Sequence, residues 1–331
     1  MNLKLSVVGL CYGNAPYVIE ALESIVTSRA EIVDWILVDD GSPDSANRDI
    51  LRDWATISEK EVELRLFEEN RGVPVRLNEV RTLIRGDYAI FIGDDVFVPG
   101  SIDRMFEAAI DVDFPDVLTG VAQWFNEDLS AAMGVFWGAL GAEGGYPKEV
   151  SAGSLRKRIM SGNFISAPST IWKLSFLEEC GGFDEHYVFE DWPVWMKICA
   201  EYPAARILFM GEVVVKYRRL LPSNAAVSPA RKVWREKLAV DKILLRVEFG
   251  DSRLRTDREV VYRQLAALRW ELPANQKRVV QHPLVRKWFP VSRFMACASQ
   301  GRTYALGPVL ANIEGFVIRN LVRFNPFVKD K

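Results

Sequence analysis

No run of eighteen uninterrupted apolar residues occurs in the chain, so no segment reads as a helix able to cross a bilayer. Histidine is nearly absent, with His186 and His282 the two present. The four cysteines, Cys11, Cys180, Cys199 and Cys297, show no paired spacing, and Cys11 and Cys199 lie in apolar runs. That argues against a disulfide framework and suits reduced thiols in a cytosolic compartment. The opening Met1–Val8 enters strand character at once and lacks the apolar core and cleavage site of a signal peptide. Nor is there a large overall excess of either charge, the net being −2. What is present is ordinary for a soluble globular protein: 49% hydrophobic and 26% charged residues. At 331 residues the chain has room for one large domain and an appendage.

Charge is distributed unevenly. From Gln276 to Lys331 ten Lys and Arg stand against Glu314 and Asp330, a segment of +8, which leaves −10 for residues 1–275. Such asymmetry points to an anionic partner for the tail. Trp288, Phe289, Phe316 and Phe324 interleave with these cations, a pattern suiting the interface of an anionic membrane better than nucleic acid. The competing uses are docking on the chain's own catalytic domain or a homo-oligomer contact.

Two segments share one pattern, an apolar run ending in paired aspartates. Trp35–Val38 leads into Asp39-Asp40-Gly41-Ser42, and Tyr88–Ile92 into Gly93-Asp94-Asp95 about fifty residues later. Unrelieved runs of strand formers read as parallel strands buried on both faces. Carboxylates at their carboxyl ends fall where open α/β sheets bind ligands. Either segment alone is equally well an Asp-Gly turn. Together they offer oxygen ligands to a hard cation and hydrogen-bond acceptors to a nucleoside, and favour a nucleotide-sugar site.

The rest of the pattern predicts repeated strand–helix–strand units. Strands are expected at Leu5–Leu10, Trp35–Val38, Val62–Phe67, Asp87–Ile92, Val117–Trp124 and Phe164–Trp172, with a last strand pair in Ala205–Val215. Helices are expected at Tyr17–Thr27, Asp44–Ile57, from Leu77 to Ile84 with Arg85-Gly86 as C-cap, Ser101–Ile110 and Trp192–Glu201. Asn126–Leu155 is Gly-rich and too long for a simple connection, which suggests a functional loop. Beyond Pro222-Ser223-Asn224 the pattern changes to charged amphipathic helices at Arg231–Phe249 and Asp257–Leu272. The expected division is 1–225 and 226–331.

Several motifs, in order, resemble family 2 glycosyltransferases of the GT-A fold over about residues 3–220. They are Tyr12-Gly13-Asn14, Ala21-Leu22-Glu23-Ser24-Ile25, Val38-Asp39-Asp40-Gly41-Ser42, Asn70-Arg71-Gly72, Asn78 through Gly86-Asp87-Tyr88, Gly93-Asp94-Asp95, Gly181-Gly182-Phe183-Asp184-Glu185 and Glu190-Asp191-Trp192. The resemblance implies an α/β, Rossmann-like, mostly parallel sheet with a C-terminal helical extension. It further implies an inverting sugar transfer from a nucleoside diphosphate sugar to a saccharide hydroxyl in surface-polysaccharide synthesis. If the tail lies on a membrane, the expected acceptor is a lipid-linked saccharide, at the cytoplasmic face of the inner membrane.

Roles follow from that resemblance. Tyr12 stacks on the base and Asp40, beside Asp39, accepts a hydrogen bond from it. Arg71 or Arg76 meets the diphosphate, and Gly93 is a further donor-binding position. Asp94 binds Mg²⁺ or Mn²⁺, with Asp95 as second ligand or sugar contact. Asp191 is the general base, with Glu190 as runner-up; the alternative for Asp191 is the N-cap of the helix that follows. The chain departs from the family twice. Ile92 stands where the metal motif has its first Asp, and Tyr217-Arg218-Arg219-Leu220 replaces a Tyr-Arg-x-His, so the metal site is short of protein ligands. Either Asp94, the diphosphate and water together hold Mg²⁺, or Arg218 or Arg219 neutralises the diphosphate in place of the missing ligand; His186 is a candidate acceptor contact. Two other readings remain. A nucleotidyltransferase would need a basic phosphate loop after the first strand, but Cys11–Pro16 has no Lys or Arg. A non-catalytic nucleotide-sugar-binding or scaffold protein would not need Asp94, Asp95, Glu190 and Asp191 together.

Overall fold

The computed structural model describes residues 3–26, 28–137 and 146–219. The chain divides into two units, Met1–Val227 and Ser228–Lys331. The expected tail helices and the basic tail therefore lie outside the described residues.

The alternating pattern folds as βαβ units: β1 (Lys4–Cys11), α1 (Ala15–Val26), β2 (Glu31–Asp39), α2 (Ser45–Ile57), β3 (Val62–Leu66), α3 (Val73–Arg81) and β4 (Tyr88–Ile92). Then come β5 (Val96–Phe97), α4 (Ser101–Asp111), β6 (Val117–Phe125), β7 (Ala132–Trp137), β8 (Lys148–Ser151), α5 (Ala152–Ser161), β9 (Thr170–Lys173), α6 (Leu174–Glu179), α7 (Asp191–Glu201) and β10 (Arg206–Arg218). One sheet runs β3-β2-β1-β4-β9-β6-β10-β5, with β7 on β6 and β8 on β10. β1 pairs in parallel with both β2 and β4, β2 with β3, and β6 with β10. The short strands β5, β7, β8 and β9 pair antiparallel with their neighbours. Since β9 opposes both β4 and β6, all the long strands point the same way. Their carboxyl ends, Cys11, Asp39, Ile92, Phe125 and Arg218, share one edge.

Buried side chains hold this edge in place. Val18, Ala21, Leu22 and Ile25 of α1 and Met105 and Phe106 of α4 pack with Leu5, Val7 and Leu37 in one core. On the strand side of α7, aromatics form a continuous run. Phe91 meets Phe183 edge-on at 5.5 Å, Phe183 meets Trp172 at 6.1 Å, and Trp172 stacks on Trp195 at 4.8 Å. Large aromatics in specific edge and stacked geometries fix relative position as well as bury area. The run therefore sets the start of α7 against the tip of β4.

Several sequence expectations needed correction. α3 ends at Arg81, so Gly86 is not its C-cap. A Cβ on Gly86 would lie 2.7 Å from the Ser6 nitrogen, so the glycine is there for close approach to β1. Asn126–Leu155 is not structureless, since it contains β7, β8 and the start of α5. The strand expected at Phe164–Trp172 is confined to Thr170–Lys173, because Ser166, Ser169 and Thr170 form a buried turn. The expected strand pair in Ala205–Val215 is the single strand β10, with register shifts between Phe209 and Val215. Helix α6 was not foreseen; its six residues are too few to show a period. Cys11, Cys180 and Cys199 are free and buried.

Candidate active site

Paired aspartates at the end of β2 hold two loops. Asp39 accepts hydrogen bonds from the Ser42 amide at 3.0 Å, the Ser42 hydroxyl and Arg48 Nε at 3.2 Å. Ser42 Oγ in turn accepts from the Gly13 amide at 2.8 Å, which places the loop carrying Tyr12. Asp40 accepts from the Arg71 and Gly72 amides at 2.9 and 2.8 Å and from Arg76 Nε at 2.5 Å. Gly41 makes this possible, with φ at +70° and room for only a hydrogen where a Cβ would sit 2.6 Å from the Glu69–Asn70 peptide. A carboxylate accepting backbone amides is a strong anchor.

These bonds give the expected donor-site residues structural duties. Asp39 is fully buried and Asp40 is 3% exposed, and both carboxylates anchor the loops around the site. Arg76, expected at the diphosphate, is 2% exposed. Its guanidinium bonds Asp40, Glu79 at 2.6 Å and the Glu69 carbonyl at 2.5 Å, and lies 3.6 Å over the Phe67 ring. Arg218 is likewise buried with its guanidinium committed to protein groups. Arg71 remains available, half exposed and paired with Glu79. Arg219 is exposed and lies 4.2 Å over the Trp124 ring. Tyr12 is 53% exposed, an open ring beside the β1 tip.

At the end of β4, Gly93 and Asp94 are both partly exposed. Burial raises the Asp94 carboxyl above its ordinary value, while Arg218 and a hydrogen bond from Asn14 pull the other way. Asp95 is 6% exposed, and its Oδ1 accepts the Arg218 amide at 2.7 Å. Burial and the Asp94 charge push it well above the usual carboxylate range. On the other side, Asp191 opens α7 and its Oδ2 accepts from Asn163 Nδ2 at 2.5 Å. The helix begins at Asp191 with Glu190 before it, so Asp191 is not the N-cap of that helix. Burial and the Asp191 charge push Glu190 up to about 8.

The structure brings these acids together. Tyr217, next to Arg218 on β10, is raised above its ordinary value by burial and then by Asp95, Asp94, Asp191 and Glu190. Four carboxylates from the β4 tip and the start of α7 thus act on one phenol at the strand edge. Sequence reasoning missed Tyr217, Asn163 and Asn14 as members of this site. Asn14 had a signal, the Tyr-Gly-Asn turn; Asn163 had none, because only the packing of α7 brings its loop to Asp191. His186 is exposed on the turn before α7, with Nδ1 2.7 Å from Asp184 Oδ1.

The donor set at Asp94 fits a hard divalent cation that keeps other ligands of its own. Asp94 offers carboxylate oxygen in a desolvated setting where added positive charge is favourable. Among the described residues, no three His, Cys, Asp or Glu form a cluster able to hold a metal alone.

Residues 6–159 match the sequence profile of glycosyl transferase family 2. The chain is 18% identical to the crystal structure of S. aureus TarS 1–349 in complex with UDP-GlcNAc, over 91% of this chain and 93% of that one, with a TM-score of 0.54. Against the Pyrobaculum calidifontis mannosyltransferase PcManGT in complex with GDP-Man and Mn²⁺ the identity is 16%, over 92% and 88%, with a TM-score of 0.53. No curated protein matches. The sheet order, the acidic strand edge and the profile agree: the chain carries a family 2 glycosyltransferase domain, matched over residues 6–159, with the GT-A fold.

Proposed function

We propose that the enzyme moves a sugar, with inversion, from a nucleoside diphosphate sugar to a hydroxyl of a saccharide acceptor. The observation that carries this reading is the acidic edge at the strand tips, with Asp94 and Asp95 after β4, Asp191 held by Asn163 at the start of α7, and the open Tyr12 ring after β1. The base stacks on Tyr12, walled by the loop that Asp40 anchors, and the diphosphate runs toward Asp94 with Arg71 beside it. Asp191 takes the acceptor proton as its oxygen bonds to the anomeric carbon, while the diphosphate leaves with the electron pair of the broken bond. No covalent intermediate is needed, so one base suffices. Asn163 holds the Asp191 carboxylate in one orientation. Mg²⁺ or Mn²⁺ bound at Asp94 would supply positive charge against the leaving diphosphate. Support for the donor class comes from the fold relatives, which were crystallised with UDP-GlcNAc and with GDP-Man.

Tyr12→Ala is expected to weaken UDP or GDP binding by about 1–3 kcal/mol, the usual worth of a base stacked on an aromatic. Calorimetric titration without acceptor measures it. Unchanged affinity for whichever nucleotide binds would place the base elsewhere.

The acceptor reading rests on the +8 tail. A tail held on an anionic cytoplasmic leaflet suits a lipid-linked saccharide acceptor, each interfacial cation adding about 1 kcal/mol. Full-length protein is expected to sediment with anionic vesicles at low salt and to be released in part at high salt, where screening shortens the attraction. Protein that stays in the supernatant at low salt removes the membrane reading and leaves docking or self-association. Among the described residues no helix is long and apolar enough to cross a membrane.

A further inference from the structure

We propose that Arg218 is a positioning residue that sets the acidic tip of β4, and does not bind the diphosphate. The proposal rests on the donor-site reading above. Arg218 is 4% exposed, and every nitrogen of its guanidinium has a protein acceptor. Nε donates to the Asp94 carbonyl at 2.8 Å, Nη2 to Glu20 Oε2 at 2.5 Å and Nη1 to the Glu127 carbonyl. Its backbone amide donates to Asp95 Oδ1 at 2.7 Å. The guanidinium lies 4.4 Å over the Tyr17 ring, and the Tyr17 hydroxyl donates to Glu127 Oε1 at 2.5 Å. One residue thus joins four segments: β10, the β4 tip, α1 and the turn after β6.

The chemistry of the fork is what matters. A guanidinium presents donors in fixed planar directions, whereas an ammonium is a compact point charge on a flexible stem. Three divergent acceptors, at Asp94, Glu20 and Glu127, need the fork. A phosphate held by charge alone would be served by either cation. Asp94 is gripped through its own carbonyl and through its neighbour Asp95, so loss of the fork frees the one partly exposed carboxylate of the tip to rotate away from the diphosphate.

The test is calorimetric titration of UDP and of GDP with Mn²⁺, without turnover, alongside thermal melts. Arg218→Lys is expected to lose about 10- to 100-fold in nucleotide affinity, the usual cost of removing a group that orients a site from behind, and to match Arg218→Gln. Glu20→Gln, at a half-exposed side chain the fold tolerates, is expected to lose about two- to fivefold. Arg218→Lys binding like the parent would make Arg218 a charge contact and overturn the proposal. So would a Glu20→Gln variant whose melting temperature falls while its affinity is unchanged. Should Arg218→Lys not fold, Glu20→Gln and Tyr17→Phe decide by the same criterion. Parent protein that binds neither nucleotide would instead end the donor-site reading.

Discussion

Asp191→Asn is expected to lower turnover by about two to four orders of magnitude while leaving nucleotide affinity as it was. Asn keeps the hydrogen-bonding shape, and Asn163 still has an oxygen to donate to, so fold and donor site are spared. What is lost is the capacity to take the acceptor proton. Glu190 provides the control. With its carboxyl pushed up to about 8, it is mostly protonated at pH 7, and Glu190→Gln mimics that form. Turnover of Glu190→Gln at pH 7 is therefore expected within about tenfold of the parent, far above Asp191→Asn. The reverse ranking would make Glu190 the base. The same group gives a stability signature. Its folded value lies above the ordinary 4.5, so the native state holds the proton more tightly than the unfolded chain. Stability from this group is intact below pH 4.5, declines as pH rises toward 8 and is level above it. Melts across that window should flatten in Glu190→Gln; an unchanged slope would show that Glu190 ionises normally.

Asp94→Asn is expected to cost about two to three orders of magnitude in turnover, comparable to removing one group that stabilises developing charge. Asp94 is the partly exposed carboxylate of the β4 tip, whereas Asp95 is buried against the Arg218 amide. Asp95→Asn keeps an acceptor for that amide, so its loss should be smaller and Asp94 the more severe of the two. Steady-state rates over a Mn²⁺ series separate them. Asp94→Asn should raise the Mn²⁺ needed for half-maximal rate or abolish the response. If Asp95→Asn proves the more damaging, the ligand is Asp95 and the tip turns over on binding the donor.

Much of this was legible in the amino-acid order, for a definite reason. Buried parallel strands must be apolar on both faces, so Trp35–Val38 and Tyr88–Ile92 announce themselves, and turn chemistry marks where they end. The places of the long strands along the chain, the helix after Pro43-Asp44, the acidic strand tips and the glycosyltransferase resemblance all followed from local pattern. Tertiary structure decided which polar groups are spent inside the protein. Nothing local distinguishes Asp40, Arg76 and Arg218, each satisfied by partners far along the chain, from Asp94 and Arg71, which are left partly open. Asp40 and Arg76 are 36 residues apart, and Arg218 and Glu20 are 198 apart. Burial makes such pairing compulsory, because an unpaired charge inside a protein is costly. Packing also chose Asn163 as the partner of Asp191 and set Tyr217 among four carboxylates, since the aromatic run from Phe91 to Trp195 carries α7 to the β4 tip.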